Sequence, residues 1–280
     1  MCSNKVCNFD FNKVCDGYAT NFNAYYPLTS NNVNKWEWDF FNNSIVEDSI
    51  NSNLNYFLPP GLHAVKLTVY DTTIFPDGCP TSIIKNVRVF SNPTANFNAS
   101  TECINNYTKI EDISIVGDTG LYTNRIWKYK DLSSISQYIP LGFSSILDSI
   151  EFDYCGKNRY EIRLTVIDSN QCIDSIDKKV TVACLPTANI EWNTVCNNNI
   201  TTFKDSSIQG TFPLGPYATY AWTNSNGIWP TLDSISDEVY YQFYNWGSQN
   251  NTTLTITDSL GCMSTAVVNA YVYQNPVVNI

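Results

Sequence analysis

The sequence predicts an all-β protein built as three tandem β-sandwiches arranged as a rod. Three observations carry that expectation. Apolar and polar residues alternate along short segments, and no stretch keeps the period of a helix. A block that opens on a proline and closes on an alternating strand recurs, with Pro93, Pro186 and Pro276 marking successive starts. Each block also holds one tryptophan and a pair of cysteines at matching places. At 280 residues, 43% hydrophobic and 15% charged, the chain is long enough to bury several cores.

The elements follow in order. In "WEWDFFNNS" (36–44), Trp36, Trp38 and Phe40 fall on one face of a strand. Glu37 and Asp39 fall on the other, and the Asn-Asn pair closes the run as a turn. "NPTANFNASTEC" (92–103) returns as "LPTANIEWNTVC" (185–196), and "NPVVNI" (275–280) starts again. An earlier copy is "VCNFDFNKVC" (6–15), where Phe9 precedes Cys15 as Phe97 precedes Cys103 and Ile190 precedes Cys196. Later in each block come "VKLTVYDTTIFPDGC" (65–79), "IRLTVIDSNQC" (162–172) and "TLTITDSLGC" (253–262). Each is an alternating strand, an Asp, a turn and a Cys, with a second strand after it. Trp38, Trp127 and Trp222 lie 23 to 26 residues after Cys15, Cys103 and Cys196. The expected units are 1–91, 92–185 and 186–275, with 276–280 beginning a further repeat. Each last strand runs almost directly into the next proline, so the linkers are very short.

Composition excludes whole classes of function. A net charge of −10 and scattered basic residues argue against nucleic acid, which needs a basic face. Ten cysteines beside a single histidine, with no zinc-knuckle spacing, point to disulfides in an oxidising compartment rather than to metal. No segment is long and apolar enough to insert in a membrane. The start, "MCSNKVCNFD", has no apolar signal core, so an exported chain would be a mature product or a piece of something longer.

"WEWDFFNN" resembles the "WDFGDG" signature of PKD domains, the immunoglobulin-like modules named after polycystic kidney disease. "YFLPPGLHAVKLTVYD" (56–71) is similar to that family's Pro-Gly turn and following strand. "VCDGYATNF" and the later Gly-Cys turn look like PKD arrays on bacterial surfaces of the Bacteroidota type. The resemblance covers nearly the whole chain, although "IWKYKD" and "AWTNSNG" in the later units lose the acidic turn. It implies immunoglobulin-like sandwiches with Trp38, Trp127 and Trp222 as core tryptophans. It also implies an extracellular, cell-surface segment of the long repetitive adhesins of gliding or surface-attached bacteria. Its partners would be neighbouring repeats of the same chain and an extracellular surface or glycan. The alternative is a carbohydrate-binding accessory module of a secreted hydrolase. A strand-donating polymer subunit is a third reading, but each unit has its own first strand.

No catalytic constellation emerges. His63 is the only histidine and aligns with Tyr160, a packing position before the last hairpin. The pairs Glu47-Asp48 and Asp237-Glu238 lie in expected loops without a partner motif. No cofactor is implied. Asp71, Asp77, Asp168 and Asp258 offer oxygens for calcium, but without the dense spacing of a calcium loop. Asp-Ser-aliphatic triplets place Ser49, Ser149, Ser175, Ser234 and Ser259 in a pattern that suits turn chemistry. The pattern also resembles the O-glycan acceptor of exported Bacteroidota proteins. Trp229, Trp246, Tyr240 and Tyr244 are candidates for an aromatic sugar platform, while Val239, Tyr241 and Phe243 alternate as a core-facing strand.

The cysteines allow two schemes. Cys155 and Cys184 should pair within the second unit, since an immunoglobulin-like topology puts both at its C-terminal pole. The remaining pairs Cys15/Cys79, Cys103/Cys172 and Cys196/Cys262 would bridge within units, each across about 65 residues, for about 4 kcal/mol. Opposite poles of one sandwich are too far apart for a bond that needs Cα atoms about 4.4–6.8 Å apart. The second scheme therefore joins consecutive units through Cys15–Cys172 and Cys103–Cys262, gives Cys7 to Cys79, and leaves Cys2 and Cys196 for neighbouring repeats.

Overall fold

The computed structural model describes residues 6–26, 33–41, 52–71, 79–118, 121–134, 137–141, 149–210, 217, 219–224, 227–228, 236–248 and 251–277. Among these residues there are strands and no helix. Alternation dictates this outcome: along Thr252–Thr257, and from Tyr160 to Asp168 in Gly156–Asp168, every second side chain is buried, which only a pleated strand achieves.

Each block folds as two main sheets packed face to face, and the third adds a two-stranded sheet of Gly247–Ser248 and Tyr271–Val272. In the first, Asn8–Phe11, Thr20–Tyr25 and Asn53–Tyr56 form one sheet. The other has the order Val14–Cys15, Cys79–Phe90, Gly61–Asp71, Val33–Asp39. The second repeats the plan with Phe97–Ala99, Thr108–Asp112 and Ser149–Ile150. Against these lies a sheet ordered Ile139–Pro140, Tyr122–Asp131, Gly156–Asp168, Ile173–Ala183, Glu102–Cys103. In the third, Ile190–Trp192, Ile200–Asp205 and Glu238–Gln242 face Gly227–Ile228, Thr219–Asn224, Thr252–Thr257 and Met263–Val268. Pairing is antiparallel except for one feature that recurs: the short strand carrying the cysteine runs parallel to the last strand of its own sandwich.

Each core is separate, and each is centred on its tryptophan. Trp38, Trp127 and Trp222 are at most 1% exposed. They stand opposite Leu67, Leu164 and Leu254 in register, and each leucine is fully buried. The three clusters draw their buried residues from 7–89, 95–182 and 190–272 without overlap. Phe9 meets Trp38 edge-on at 5.2 Å, and Phe97 meets Trp127 in the same way at 5.3 Å.

Trp36 is only half-buried, and Asp39, read from alternation as outward, is 5% exposed. Asp39 is the last residue of its strand, and its Oδ1 accepts from the Phe41 N–H at 3.2 Å. A turn-capping carboxylate at a strand end is drawn into the fold by the backbone donor that it satisfies.

Candidate functional site

The features that set this chain apart from a plain string of sandwiches lie where consecutive units meet. Cys15, Cys103 and Cys196 are placed alike. Val14 and Cys15 pair with Val89 and Phe90, and the Asp16 N–H donates to the Phe90 carbonyl at 2.7 Å. Glu102 and Cys103 pair with Val182 and Ala183, and the Ile104 N–H donates to the Ala183 carbonyl at 2.8 Å. Cys196 bridges Tyr273, and the Asn197 N–H donates to the Tyr273 carbonyl at 2.8 Å. A tight turn follows each cysteine. Its left-handed residue is Gly17 (φ 85°), Asn105 (φ 72°) or Asn198 (φ 67°), residue types that tolerate that backbone. Each cysteine thus sits beside the end of its sandwich's last strand, where the chain leaves for the next unit.

The hairpin cysteines are set by an aspartate. The Asp168 Oδ1 accepts from the N–H groups of Asn170 (2.8 Å) and Cys172 (2.9 Å), while the Asp168 N–H donates to the Cys172 carbonyl. In the third unit the Asp258 Oδ1 accepts from Leu260 and Cys262, both at 2.9 Å. Gly261 takes the left-handed position there (φ 85°), and Gln171 takes it in the second unit (φ 68°). These carboxylates, which the sequence offers as calcium oxygens, hold the turns that present Cys172 and Cys262. Asp77 lies outside the described residues, as does the side chain of Asp71.

The two sets meet across the linkers. Cys15 is bonded to Cys172, and Cys103 to Cys262, each with Cα atoms 5.6 Å apart. Cys103, Ala183 and Cys262 form a small buried cluster of their own. The bond Cys155–Cys184, with Cα atoms 4.9 Å apart, stays within the second unit and ties its last strand to the start of Gly156–Asp168. The pairings Cys103–Cys172 and Cys196–Cys262 of the intra-unit scheme are not made.

Cys7 is a correction. It is a free thiol, fully buried, with its Sγ 3.5 Å from the Thr81 carbonyl, so it does not bond to Cys79. Two residues before Phe9, it stands where the other units have Ala95 and Ala188, at the edge of the core. It fills that position as a small hydrophobe, and burial pushes its thiol pKa up. The side chain of Cys79 and all of Cys2 lie outside the described residues.

Around the first linker, the Ser91 hydroxyl and N–H both donate to the Asp118 carboxylate, at 2.8 and 3.2 Å, and Arg88 stands 3.6 Å from it. The Ser91 hydrogen bonds hold Asp118 below the usual carboxylate range. The Asn92 side-chain amide donates to the Asp16 carbonyl at 3.1 Å. Gly117 and Gly210 press against the linkers: a Cβ there would fall 2.2 Å from the Ser91 carbonyl oxygen and 2.1 Å from that of Cys184. Sequence reasoning missed these glycines, although each follows the matching aspartate, Asp112 or Asp205, by the same number of residues.

The other candidates are dispersed. The His63 Nε2 lies 2.6 Å from the Pro59 carbonyl, and the ring meets Phe41 edge-on. His63 pairs with Val87 as Tyr160 pairs with Val180. Asp237 and Glu238 flank the start of an edge strand, and Glu238 pairs with Lys204; Glu47 and Asp48 lie outside the described residues. Ser149, Ser175 and Ser259 are exposed, and Ser49 and Ser234 lie outside the described residues. Tyr240, Tyr244 and Trp246 are exposed, while Val239 and Phe243 are buried. Tyr240 donates to Glu238 on the outer sheet face, and Trp229 lies outside the described residues. Among the described residues no three His, Cys, Asp or Glu side chains cluster as metal ligands would.

No known protein family matches the chain, and no curated protein matches it. Solved structures that it is similar to are multi-domain immunoglobulin-like chains. One is the three N-terminal domains of the bacteriophage RB49 highly immunogenic outer capsid protein, with 10% identity over 97% of this chain and 99% of that one and a TM-score of 0.44. Another is the I67–I69 fragment of the titin I-band, with 12% identity, coverage of 98% and 100%, and a TM-score of 0.38. A third is immunoglobulin domains 1–5 of Sidekick-1, with 12% identity over 98% of this chain and 60% of that one and a TM-score of 0.31.

Proposed function

We propose that this chain is a non-enzymatic, load-bearing segment of an exported cell-surface protein, a stalk of PKD-type repeats that serves surface attachment. The observation that carries the reading is the interleaving of the two inter-unit bonds. Cys103 lies between Cys15 and Cys172 in the sequence, so the two covalent loops overlap. Full extension of the three sandwiches then requires cleavage of an S–S bond, not only unfolding. Such bonds persist in oxidising, extracytoplasmic surroundings. An adhesin stalk needs this property because attachment loads it end to end. The Bacteroidota-type adhesin reading rests on the "WEWDFFNN" resemblance, and exposed Ser149, Ser175 and Ser259 suit the glycan-acceptor pattern.

Single-molecule pulling from the two termini tests the proposal. The oxidised chain should release much less contour length than the same chain in a reductant. Equal contour lengths in the two conditions would rule it out. The carbohydrate-binding alternative draws on exposed Tyr240, Tyr244 and Trp246. A defined sugar bound on a glycan array at micromolar affinity, lost in Trp246→Ala, would favour it instead.

A further inference from the structure

Cys196 is the third member of the set that includes Cys15 and Cys103, and it is free. Its backbone is already in the latch geometry. It bridges the last strand of its sandwich in parallel, as the other two do, and the same left-handed turn follows it. The chain leaving the third sandwich is also set for a junction. The Asn275 side-chain amide donates to the Asn197 carbonyl at 3.0 Å. Asn92 makes the same bond to the Asp16 carbonyl at 3.1 Å, where the chain enters the second sandwich. In both cases the asparagine precedes a proline, and the acceptor is the residue after the latch cysteine. Tyr244, Trp246 and Tyr273 stand exposed near this end of the third sandwich, at 71, 58 and 55%.

We propose that Cys196 is the open half of a third latch, and that its partner is a further sandwich joined through Pro276. The inference rests on the stalk reading and names the partner of that stalk. The two junctions present define what the incoming sandwich must carry. One requirement is an Asp-led hairpin of the Asp168–Cys172 or Asp258–Cys262 kind. The other is a glycine placed as Gly117 or Gly210 is, because a side chain there would strike the linker carbonyl. The first sandwich meets neither condition. In the sequence Cys79 follows Asp71 by eight residues, where Cys172 follows Asp168 and Cys262 follows Asp258 by four, and Thr29 follows Thr20 by the nine residues that separate Gly117 from Thr108 and Gly210 from Thr201. A second copy docking by its first sandwich is therefore not the partner. Bond formation takes two thiols to one disulfide. The two protons and two electrons pass to a low-molecular-weight disulfide, such as oxidised glutathione, which is reduced to two thiols.

The test is to extend the full chain after Asn275 with a second copy of residues 93–184, and separately with a second copy of residues 186–275. Both extended chains are oxidised with glutathione and mapped without reduction. The expected result is Cys196 joined to the added copy's Cys172 or Cys262, with Cys103–Cys262 of the original chain retained. Valine in place of the added copy's Gly117 or Gly210 should cut the latched fraction severalfold. The proposal is overturned if Cys196 stays open to alkylation in both extended chains while the added sandwich resists protease. It is equally overturned if Cys196 instead joins Cys79 or Cys196 of a second molecule. Either result leaves the pulling behaviour of the three original sandwiches untouched, so it does not bear on the stalk reading itself.

Discussion

The junction between the first and second sandwiches and the junction between the second and third use the same latch with different support. At the first, Ser91, Asn92, Asp16, Asp118 and Arg88 surround the linker with hydrogen bonds and an ion pair. At the second, Cys184 sits in the linker itself and is bonded to Cys155. Leu185 stands there in place of the asparagine. One junction is thus trimmed by groups that respond to pH, the other by a bond that responds to redox conditions. A disulfide across units fixes only the separation of two points. A second constraint near the linker is what resists rotation about it, and the two junctions supply that constraint by different chemistry.

The largest effects should be equal at the two junctions. Cys15→Ser and Cys103→Ser each open a loop of nearly equal span, with sequence separations of 157 and 159. The chain-entropy argument gives a loss of about 5 kcal/mol for either, read from denaturant unfolding. A loss at one junction far larger than at the other would mean that the latches do not act alike.

Next come the cores. Trp38→Ala, Trp127→Ala and Trp222→Ala should each cost about 3–5 kcal/mol. Calorimetry should show the affected sandwich melting first while the others persist, because the three buried clusters share no residue. A single cooperative loss of all three would contradict that independence.

Cys184→Ser sharpens the contrast, since it touches only the second sandwich and the junction after it. With a separation of 29, that bond is worth about 3–4 kcal/mol. Limited proteolysis should then begin near Leu185 and leave the linker at Ser91 intact.

The smallest effect belongs to the polar junction. Asp118→Asn should cost about 0.5–1 kcal/mol and loosen only the first junction. The folded pKa of Asp118 is depressed, so its contribution is present above about pH 4 and is lost as the pH falls below that. Hydrogen exchange of the Ser91 amide, followed against pH, should report the loss in the native chain and show none in Asp118→Asn.

How much of this was legible depends on what kind of information each feature needs. The tryptophans and strand pairs could be read because alternation and repetition are one-dimensional signals. The positions of the latch cysteines could be read because repeats place like residues at like poles, but the sequence left both pairing schemes open, because the choice depends on how consecutive sandwiches face each other across the linker. The free thiol of Cys7 is hard to see in a chain of ten cysteines, where every cysteine invites a partner, yet its position is that of Ala95 and Ala188. Asp168 and Asp258 offer oxygens for a cation in the sequence; in the fold one oxygen of each, Oδ1, accepts from the backbone donors of its own turn, a local role that composition does not reveal. Gly117 and Gly210 had no signal within a single block, because the carbonyl each one accommodates belongs to the linker from the preceding sandwich.

The central claim is that the latches run between units. Its most direct test is mass spectrometry of a digest of the oxidised chain without reduction. The account predicts peptide pairs joined through Cys15–Cys172 and Cys103–Cys262, with Cys7 recovered as a free thiol after denaturation. Recovery of a Cys103–Cys172 or Cys15–Cys79 pair as the major species would contradict it.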